Sequence, residues 1–516
     1  MVFVLVAKLQ IICNYRGTIR KYFVPLSQNI METLKEKTAK GLFWGGMNNG
    51  IQQLLGLAFG IILGRLLDPS DYGMTAMLAV FSVIANELQS SGFKTGLINL
   101  KSPTHDDYNA VFWFNILAGA AIYVVLWFCA PLIADYYHQP KLIPLSRYVF
   151  LGFVFSSFGM AQSAYLTKQM QIKQIAQCGM TATLTSSIVS VILAVMGFGY
   201  WALATQYLLY IAMNTLLLWF FSPWRPSFSP LSSHLSPLKK LFPFSFKIML
   251  SAIFTQVNNN IMNLLLGRYY GEANTGHYNQ AYQWSSKCFL LVGNMLKQVD
   301  QTVLVGLGDE RERQLAVLRK MMRFTAFISF PLLFGLGMVS HEFIVLAIGE
   351  KWAFAASMLP LLCLCGAFMP LSTLLTDSVI SQHRSDIYLW NTFALGILQM
   401  ALMVALWREG IMTMVIAYAL LNIAWVFVWH FFVQRLMNYR LIPFLKDILP
   451  FALAAAGVMA VTGFVTHAIE MLWLKLLCRV VLAALLYYVV MRLAGAVILK
   501  EVMAFIFRKG ISSGKD

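Results

Sequence analysis

The chain has 516 residues, of which 59% are hydrophobic and only 12% are charged, and its formal net charge is +17. Soluble domains contain about 25% charged residues, so this composition excludes an ordinary soluble protein. The basic residues stand in short loops between apolar runs rather than in aromatic-rich patches. This distribution argues against nucleic acid as the partner and is typical of a polytopic membrane protein.

The first 40 residues are predicted to form a basic cytoplasmic tail. The apolar run at residues 2–7 is too short for a signal peptide, and no small-residue cleavage site follows it. Met31 is an alternative translation start. We expect this segment to precede the membrane-embedded part of the chain.

Fourteen apolar runs follow, each close to the ~20 residues that cross a bilayer as a helix. In chain order they are 41–66, 73–96, 110–134, 146–167, 176–197, 200–221, 243–268, 276–300, 323–348, 354–381, 387–407, 410–434, 446–468 and 472–498. With the N-terminus inside, 29 of the 39 Lys and Arg residues fall on the cytoplasmic side and 8 on the other. The predicted fold is an all-α polytopic membrane protein with about 14 transmembrane helices and both termini in the cytoplasm.

The domain organisation is predicted from a proline-rich segment and an internal repeat. The segment at 222–242 contains four prolines and is followed directly by Pro243, a density that interrupts helices and indicates a cytoplasmic linker. A shift of 203 residues aligns Gly64-Arg65 with Gly267-Arg268, and Gly73 with Gly276. We therefore predict two six-helix lobes related as a parallel repeat. The predicted parts are an N-terminal lobe at 41–221, a C-terminal lobe at 243–434, two further helices within 435–499 and a cytoplasmic tail at 500–516.

Polar side chains form stripes on four spans that the repeat makes equivalent in pairs. In the seventh span Gln256, Asn260 and Asn263 share one helical face, because their spacing is i, i+4, i+7. The same kind of face is predicted on the first, second and eighth spans. Its members include Asn48, Asn49, Gln52, Gln53, Glu87, Ser91, Lys94, Asn258, Asn259, Gln283, Lys287, Asn294 and Lys297, with Asp300 a turn beyond. Either the stripes join helices to one another, or all four line one wet central cavity.

Lys287 has the most informative position of the charged residues, near the middle of the eighth span. A lysine facing lipid there would cost about 2.5–3.5 kcal/mol, so it must face protein or water. It either binds a substrate or ion, or pairs with an acid such as Glu87. Lys94 and Lys297 lie near helix ends, where anchoring by snorkelling is an equal alternative. Amides suit hydroxyl-rich ligands and ammonium groups suit phosphate.

Other chemistries find little support in the sequence. The seven cysteines and eight histidines are scattered without metal-ligand spacing, so neither a metal nor a cofactor is predicted. No nucleotide-binding motif stands in a strand–helix setting. No external loop is long enough for the catalytic part of a membrane polymerase, ligase or glycosyltransferase of glycan assembly. That enzyme class remains an alternative, as does a multidrug or cation antiporter.

Four segments carry a family resemblance. GRLLDPSDYGMTAMLAVF, LINLKSPTHDDYNAVFWFNILAG, WRPSFSP and NLLLGRYYGEANTGHYNQAYQW resemble, in this order, the polysaccharide transporters of the MOP superfamily, in particular the Wzx-type flippases of colanic acid and O-antigen. The resemblance covers about residues 41 to 500. It implies two six-helix lobes forming a V, and alternating-access flipping of undecaprenyl-diphosphate-linked oligosaccharides across the bacterial inner membrane. Other polysaccharide-assembly membrane proteins are implied as possible partners.

The resemblance also implies site residues. Cationic cavity residues engage the diphosphate in the family, and the candidates by position are Lys287, Lys297, Lys94, Arg65 and Arg268. The chain departs from the family pattern at Met262, where an acid is common, and at 297–299, where a proline is common. We therefore hypothesise that Glu87 or Asp300 provides coupling to H⁺ or Na⁺.

Overall fold

A computed structural model describes the backbone of most of the chain: 50–90, 97–98, 100, 102–228, 231–306, 311–382, 384–496 and 498–499. Side chains are described for these residues except 90, 231–252, 297–306 and 311. The predicted tails at 1–40 and 500–516 lie outside the described residues.

The described residues form fifteen long or medium helices, numbered here in chain order. They are α1 (50–66), α2 (Pro69–Ser90), α3 (His105–Tyr137), α4 (Leu142–Ser157), α5 (Met160–Lys168), α6 (Ile172–Val195), α7 (Tyr200–Phe221), α8 (Leu231–Gly306), α9 (Arg311–Met338), α10 (Ser340–Ile348), α11 (Ala353–Ser381), α12 (Ser385–Leu406), α13 (Ile411–Met437), α14 (Leu441–Val465) and α15 (Leu472–Leu493). No strand occurs in this part of the chain.

Nine of the described helices are long and apolar enough to cross a membrane, and a tenth span is counted if the bent pair α4–α5 crosses as one. The other predicted spans correspond to α1, to α2 and to the two arms of α8. The all-helical polytopic membrane fold is thus confirmed. Exposed Leu, Val and Phe side chains cover the helix surfaces, as expected where lipid rather than water is the solvent.

Two predicted spans and the predicted linker differ in shape from the sequence expectation. The fourth span is bent by 44° between α4 and α5. The ninth is preceded by a polar helical extension, because α9 already begins at Arg311, and α10 is separate from it. In the predicted linker at 222–242, helical backbone begins at Leu231, so prolines alone do not mark where the helix starts.

A single glycine divides α8 into two arms. Gly271 has φ 79° and ψ −178°, a conformation that residues with a Cβ rarely adopt. It lies between the predicted seventh and eighth spans. The arms at 231–270 and 272–306 therefore match two spans rather than one.

Described residues up to Asn279 form one compact unit. Its main core packs α2, α3, α4 and α7 together around residues such as Met77, Leu145 and Phe150. The buried hydroxyl of Tyr137 donates a hydrogen bond to the backbone oxygen of Met77, at 3.0 Å. This hydrogen bond connects the end of α3 to the middle of α2.

The start of the proline-rich segment is bound to α3. The Asn109 side chain donates to the Ser227 backbone oxygen at 2.9 Å and accepts from the Ser227 backbone N–H at 3.1 Å. Trp224 packs against the rings of Tyr108 and Phe112, with centroids 5.9 and 5.8 Å apart. Two of the four family-like segments, LINLKSPTHDDYNAVFWFNILAG and WRPSFSP, therefore contact each other.

Described residues from Gln280 form a second compact unit, in which an ion-pair cluster joins α14 to α9. The buried Asp447 carboxylate accepts hydrogen bonds from Arg319 at 2.7 Å and from the Tyr439 hydroxyl at 2.8 Å, and it lies 3.3 Å from Arg323. Burial, followed by the hydrogen bond to Asp447, raises the pKa of Tyr439, so the phenol remains protonated as a donor.

A second cluster joins α15 to α10. The Glu342 carboxylate lies 2.8 Å from Arg479 and 3.6 Å from Lys475. In the C-terminal half of α15, the Tyr487 hydroxyl donates to the Phe327 backbone oxygen of α9 at 3.0 Å. The two helices predicted as an addition to the C-terminal lobe are thus bound to it by charged and polar contacts.

Replacing Asp447 with asparagine is expected to lower the stability of the second unit. The change leaves two guanidinium groups without their carboxylate, and because these groups are 37% and 43% exposed we expect a loss of about 1–3 kcal/mol. The measurement is the thermal unfolding midpoint in detergent. Asp386→Asn is the matched control, since its pair with Arg384 is exposed on both sides. Equal midpoints for the two variants would contradict the account.

Candidate functional site

The polar faces predicted on the second and seventh spans are in contact. The Gln256 side-chain amide on α8 donates to the Glu87 carboxylate on α2, with Nε2 and Oε1 3.3 Å apart. Both side chains are partly exposed. An acid and an amide that sequence spacing placed on separate stripes therefore form one polar patch within the first unit.

The rest of the α8 stripe is divided between buried and exposed amides. Asn260 donates to the Gln256 backbone oxygen, one turn earlier, at 3.0 Å. Asn259 is exposed, whereas Asn258 and Asn263 are buried. The Asn263 side-chain oxygen is buried without a hydrogen-bond donor among the described residues. A buried acceptor of this kind is costly, so a ligand hydroxyl group that reached it would be stabilised.

On α1, two adjacent glutamines have different surroundings. The Gln52 amide nitrogen lies 2.5 Å from the point that a Cβ on Gly179 would occupy, so Gln52 packs against α6. Gln53 is exposed. Of this predicted pair, Gln53 is the side chain available to a ligand.

Lys287, in the second unit, lies over an aromatic ring. Its Nζ is 4.2 Å from the centroid of the Trp284 ring, a cation–π contact. Trp284 is itself buried and packs edge-on against Phe343, with centroids 4.9 Å apart. Within the described residues no carboxylate lies within ion-pair distance of Lys287.

Lys287 also shares a helix face with exposed amides. Gln283 and Asn294 stand at i−4 and i+7 from it, and both are exposed while Lys287 is partly buried. The face combines one cation with hydrogen-bonding groups that both donate and accept. Such a face suits a ligand that carries phosphate and hydroxyl groups.

Three predicted site residues are not described at the side-chain level. Lys94 lies outside the described residues, and Lys297 and Asp300 lie in the part of α8 whose side chains are not described. Arg65 is exposed, near the end of α1. The binding and coupling roles of all the candidate residues remain predictions.

Arg268 is engaged with the end of α3. Its Nη1 donates to the backbone oxygens of Tyr136 and, at 3.4 Å, Asp135, and it lies 2.6 Å from the Nε2 atom of His138. Arginine has no acceptor, so His138 Nε2 is the acceptor in this contact. Helix ends leave such carbonyls without intrahelical partners, and a cation there is favoured by the helix dipole. Arg268 therefore joins α8 to the C-terminal end of α3.

Two glycines that the repeat aligned bring α2 and α8 into backbone contact. A Cβ on Gly73 would lie 1.7 Å from the backbone oxygen of Glu272, and a Cβ on Gly276 would lie 1.8 Å from that of Pro69. Neither carbonyl is the flexible end of a side chain, so neither can move aside alone. Gly73 and Gly276 thus permit a contact that no larger residue would allow.

Three residues of this contact region were not predicted from the sequence: Tyr136, Tyr137 and His138. Their signal was the aromatic run DYYH after the third span, next to a candidate arginine in a neighbouring helix. No metal centre was predicted, and in the described part of the chain no three His, Cys, Asp or Glu residues are grouped to hold a metal ion.

Comparisons with known proteins show the family of the chain. The sequence profile of a family described as "Polysaccharide biosynthesis protein" matches residues 62–357. The lipopolysaccharide biosynthesis protein WzxC of Escherichia coli K12 is 27% identical over 367 residues, 70% of this chain and 73% of that protein. The teichuronic acid biosynthesis protein TuaB of Bacillus subtilis 168 is 24% identical over 446 residues, 83% of this chain and 89% of that protein.

Among solved structures, the fold is similar to that of the lipid II flippase MurJ in an inward closed conformation. The TM-score is 0.68 at 14% sequence identity, and the match covers 87% of this chain and 98% of the other. At this identity the likeness establishes the fold and not the substrate. The expected all-α polytopic membrane fold is confirmed.

Proposed function

The chain belongs to the family of polysaccharide biosynthesis proteins, and from this premise we propose that it is a flippase for lipid-linked oligosaccharides. Its relatives are named for lipopolysaccharide and teichuronic acid biosynthesis, and a further relative in Rhizobium meliloti is named a succinoglycan biosynthesis transport protein. All three relatives are named for the biosynthesis of a surface polysaccharide. The substrate proposed for this chain is an undecaprenyl-diphosphate-linked oligosaccharide unit.

The observation that most directly supports this proposal is the environment of Lys287. This residue is a cation in the middle of a predicted span, it rests on Trp284 at 4.2 Å, and the described residues provide no carboxylate for it. An anionic group on the substrate would satisfy the ammonium group in an environment where water is scarce. The diphosphate of a lipid-linked sugar has this charge and can reach this depth.

The exposed amides of each unit supply hydrogen-bonding groups that suit the sugar part of the substrate. Asn259, Gln256, Gln53 and Asn294 are exposed or partly exposed. Each amide donates and accepts, as the hydroxyl groups of a sugar require. The Asn263 side-chain oxygen, which is buried without a donor among the described residues, would accept a hydrogen bond from one sugar hydroxyl group. Recognition by amides tolerates different sugars better than a geometrically fixed charge pair does.

Alternating access is the proposed mechanism, with the site open first to the cytoplasm and then to the other side. The Gly73–Gly276 contact and the binding of Arg268 hold the start of α2 and the end of α3 against the middle of α8, near Gly271, on the side away from the cytoplasm in the predicted topology. Opening on that side requires these contacts to break. The glycan crosses through the polar site while the polyprenyl chain stays in lipid.

The location follows from the substrate and the charge distribution. We place the chain in the bacterial cytoplasmic membrane with both termini inside, because the loops predicted to be cytoplasmic carry most Lys and Arg residues. Polymerising or ligating membrane proteins that act on the same lipid-linked sugar are its proposed partners. No part in nucleic-acid binding is proposed.

Energy coupling by H⁺ or Na⁺ is proposed to involve Glu87. Its carboxylate accepts from Gln256, so a change in its charge changes the contact between α2 and α8. We expect Glu87→Gln to express normally but to lose the dependence of transport on the ion gradient, since the amide keeps an acceptor but cannot bind a proton. Glu409→Gln, at an exposed turn, is the control. Unchanged ion dependence in a Glu87→Gln/Asp300→Asn double variant would exclude both acids as coupling residues.

Reconstitution tests the proposed function directly. The purified protein is placed in liposomes that contain a polyprenyl-diphosphate glycan with a fluorescent sugar, and an impermeant quencher reports which leaflet it occupies. We expect movement between leaflets that requires the protein and slows in Lys287→Met. Movement equal to that in protein-free liposomes, under both H⁺ and Na⁺ gradients, would contradict the flippase assignment.

A further inference from the structure

A second cation stands at the lipid-facing surface of the first unit, remote in sequence from the polar faces described above. Arg147 lies near the start of α4, and its Cζ is 4.3 Å from the centroid of the Trp127 ring on α3. Trp127 in turn packs edge-on against Tyr123, with centroids 5.8 Å apart. The guanidinium is therefore stacked on an aromatic pair.

Arg147 has no anionic partner in the described part of the chain. None of the ion pairs among the described residues involves it, and its Nε is buried without a hydrogen-bond acceptor. An arginine remains charged under all ordinary conditions and presents five N–H donors. Nε is enclosed by the protein, so the terminal Nη groups of the stacked guanidinium are the donors available to a group outside the protein.

The surface around Trp127 is apolar and exposed. Trp127 is 38% exposed, Phe128 74% and Leu132 69%, and Val124 and Val125 are also exposed. Large exposed apolar side chains on a membrane-spanning helix face lipid. Arg147 is thus a cation at the edge of a lipid-facing surface rather than inside a polar cavity.

The depth of this cation follows from the length of α3. Its 33 residues span about 50 Å, compared with ~30 Å for the hydrocarbon core of a bilayer. Trp127 lies about two helical turns before Asp135, and Arg147 lies between one and two turns after the start of α4. Both side chains are therefore close to the level where hydrocarbon gives way to headgroups, the usual position of interfacial Trp and Tyr.

We propose that Arg147 and Trp127 form a binding site for the phosphate group of an anionic lipid. The planar guanidinium binds phosphate through two parallel N–H···O bonds, and stacking on the indole holds it in one orientation. The exposed apolar residues beside it contact the lipid's chain. The site takes the phosphodiester of a phospholipid or the phosphate of a polyprenyl lipid, and in the predicted topology it faces the leaflet away from the cytoplasm. It goes beyond the proposed flippase function, since it needs no transport.

Lipid binding to the purified, delipidated protein tests the site without reference to transport. Native mass spectrometry counts bound lipids during titration with phosphatidylglycerol, with polyprenyl phosphate and, separately, with inorganic phosphate. Arg147→Gln is expected to weaken the tightest lipid-binding event about tenfold, whereas Trp127→Phe keeps an aromatic face and weakens it less. Lys141→Gln is the matched control, because Lys141 is an exposed cation at the same end of α4.

Each outcome decides the proposal. Selective weakening in Arg147→Gln supports it, and the lipid that binds more tightly identifies the source of the phosphate. Equal binding by wild type, Arg147→Gln and Lys141→Gln would overturn it. If inorganic phosphate at millimolar concentration displaces the lipid, the site binds simple anions rather than lipids, and the proposal is overturned. A normal thermal unfolding midpoint of Arg147→Gln excludes misfolding as the cause.

Discussion

Lys287→Met is expected to reduce transport of lipid-linked oligosaccharide about 10- to 100-fold, the range expected for loss of a charged hydrogen bond to phosphate. Methionine keeps an unbranched apolar stem beside Trp284 and removes only the charge, so the fold is expected to survive. Lys287→Arg restores the charge and is expected to recover part of the transport. The measurement is the flipping rate in liposomes, normalised to the amount of folded protein.

The control for this variant is Lys351→Met, which removes an exposed lysine of the same unit. Its transport rate is expected to match that of the wild type. A role of Lys287 in stability alone would appear differently: the variant would unfold at a lower temperature, while its folded fraction would transport at the normal rate. That result would contradict a binding role.

Gly73→Ala and Gly276→Ala are each expected to reduce transport at least tenfold. The added Cβ would lie 1.7 or 1.8 Å from a backbone oxygen, so α2 and α8 would have to separate where they now touch. If transport requires α2 and α8 to close at this contact, each variant would remain open there. The measurement is transport together with the rate at which an impermeant thiol reagent labels a cysteine introduced at Ser70, which is expected to rise.

Gly293→Ala is the matched control, because Gly293 lies on the same helix and a Cβ there meets no atom within 4 Å. It is expected to transport normally, and its small gain in helix propensity favours stability. Normal transport and unchanged labelling in Gly73→Ala would show that the contact does not take part in the transport cycle.

The sequence predicted correctly those contacts that avoid the free-energy cost of exposing a polar side chain to lipid. Amides and an acid in apolar spans have to meet protein or water, and Gln256 does contact Glu87. The repeat aligned Gly73 with Gly276, and both prove to lie where α2 and α8 meet. The membrane class and the family followed from hydropathy and from four segments in the right order.

The sequence did not predict contacts in which a side chain binds a backbone group. Arg268 is a candidate site residue by its position, and its contact with carbonyl groups at the end of α3 was not predicted, because no residue type signals an available carbonyl. The 44° bend between α4 and α5 was also not predicted from the sequence. Gln52 and Gln53 were indistinguishable as neighbours in sequence, yet only Gln52 packs against Gly179.

The most direct test of the flippase assignment is the sidedness of lipid-linked sugars in cells that lack this protein. Polyprenyl-diphosphate glycans are extracted after treatment of intact cells with an impermeant sugar-modifying reagent. The account predicts that complete single units accumulate unmodified on the cytoplasmic face, and that wild-type protein relieves this whereas Lys287→Ala does not. Units that reach the outer face normally but remain unpolymerised or unattached would contradict transport and favour an enzyme of glycan assembly.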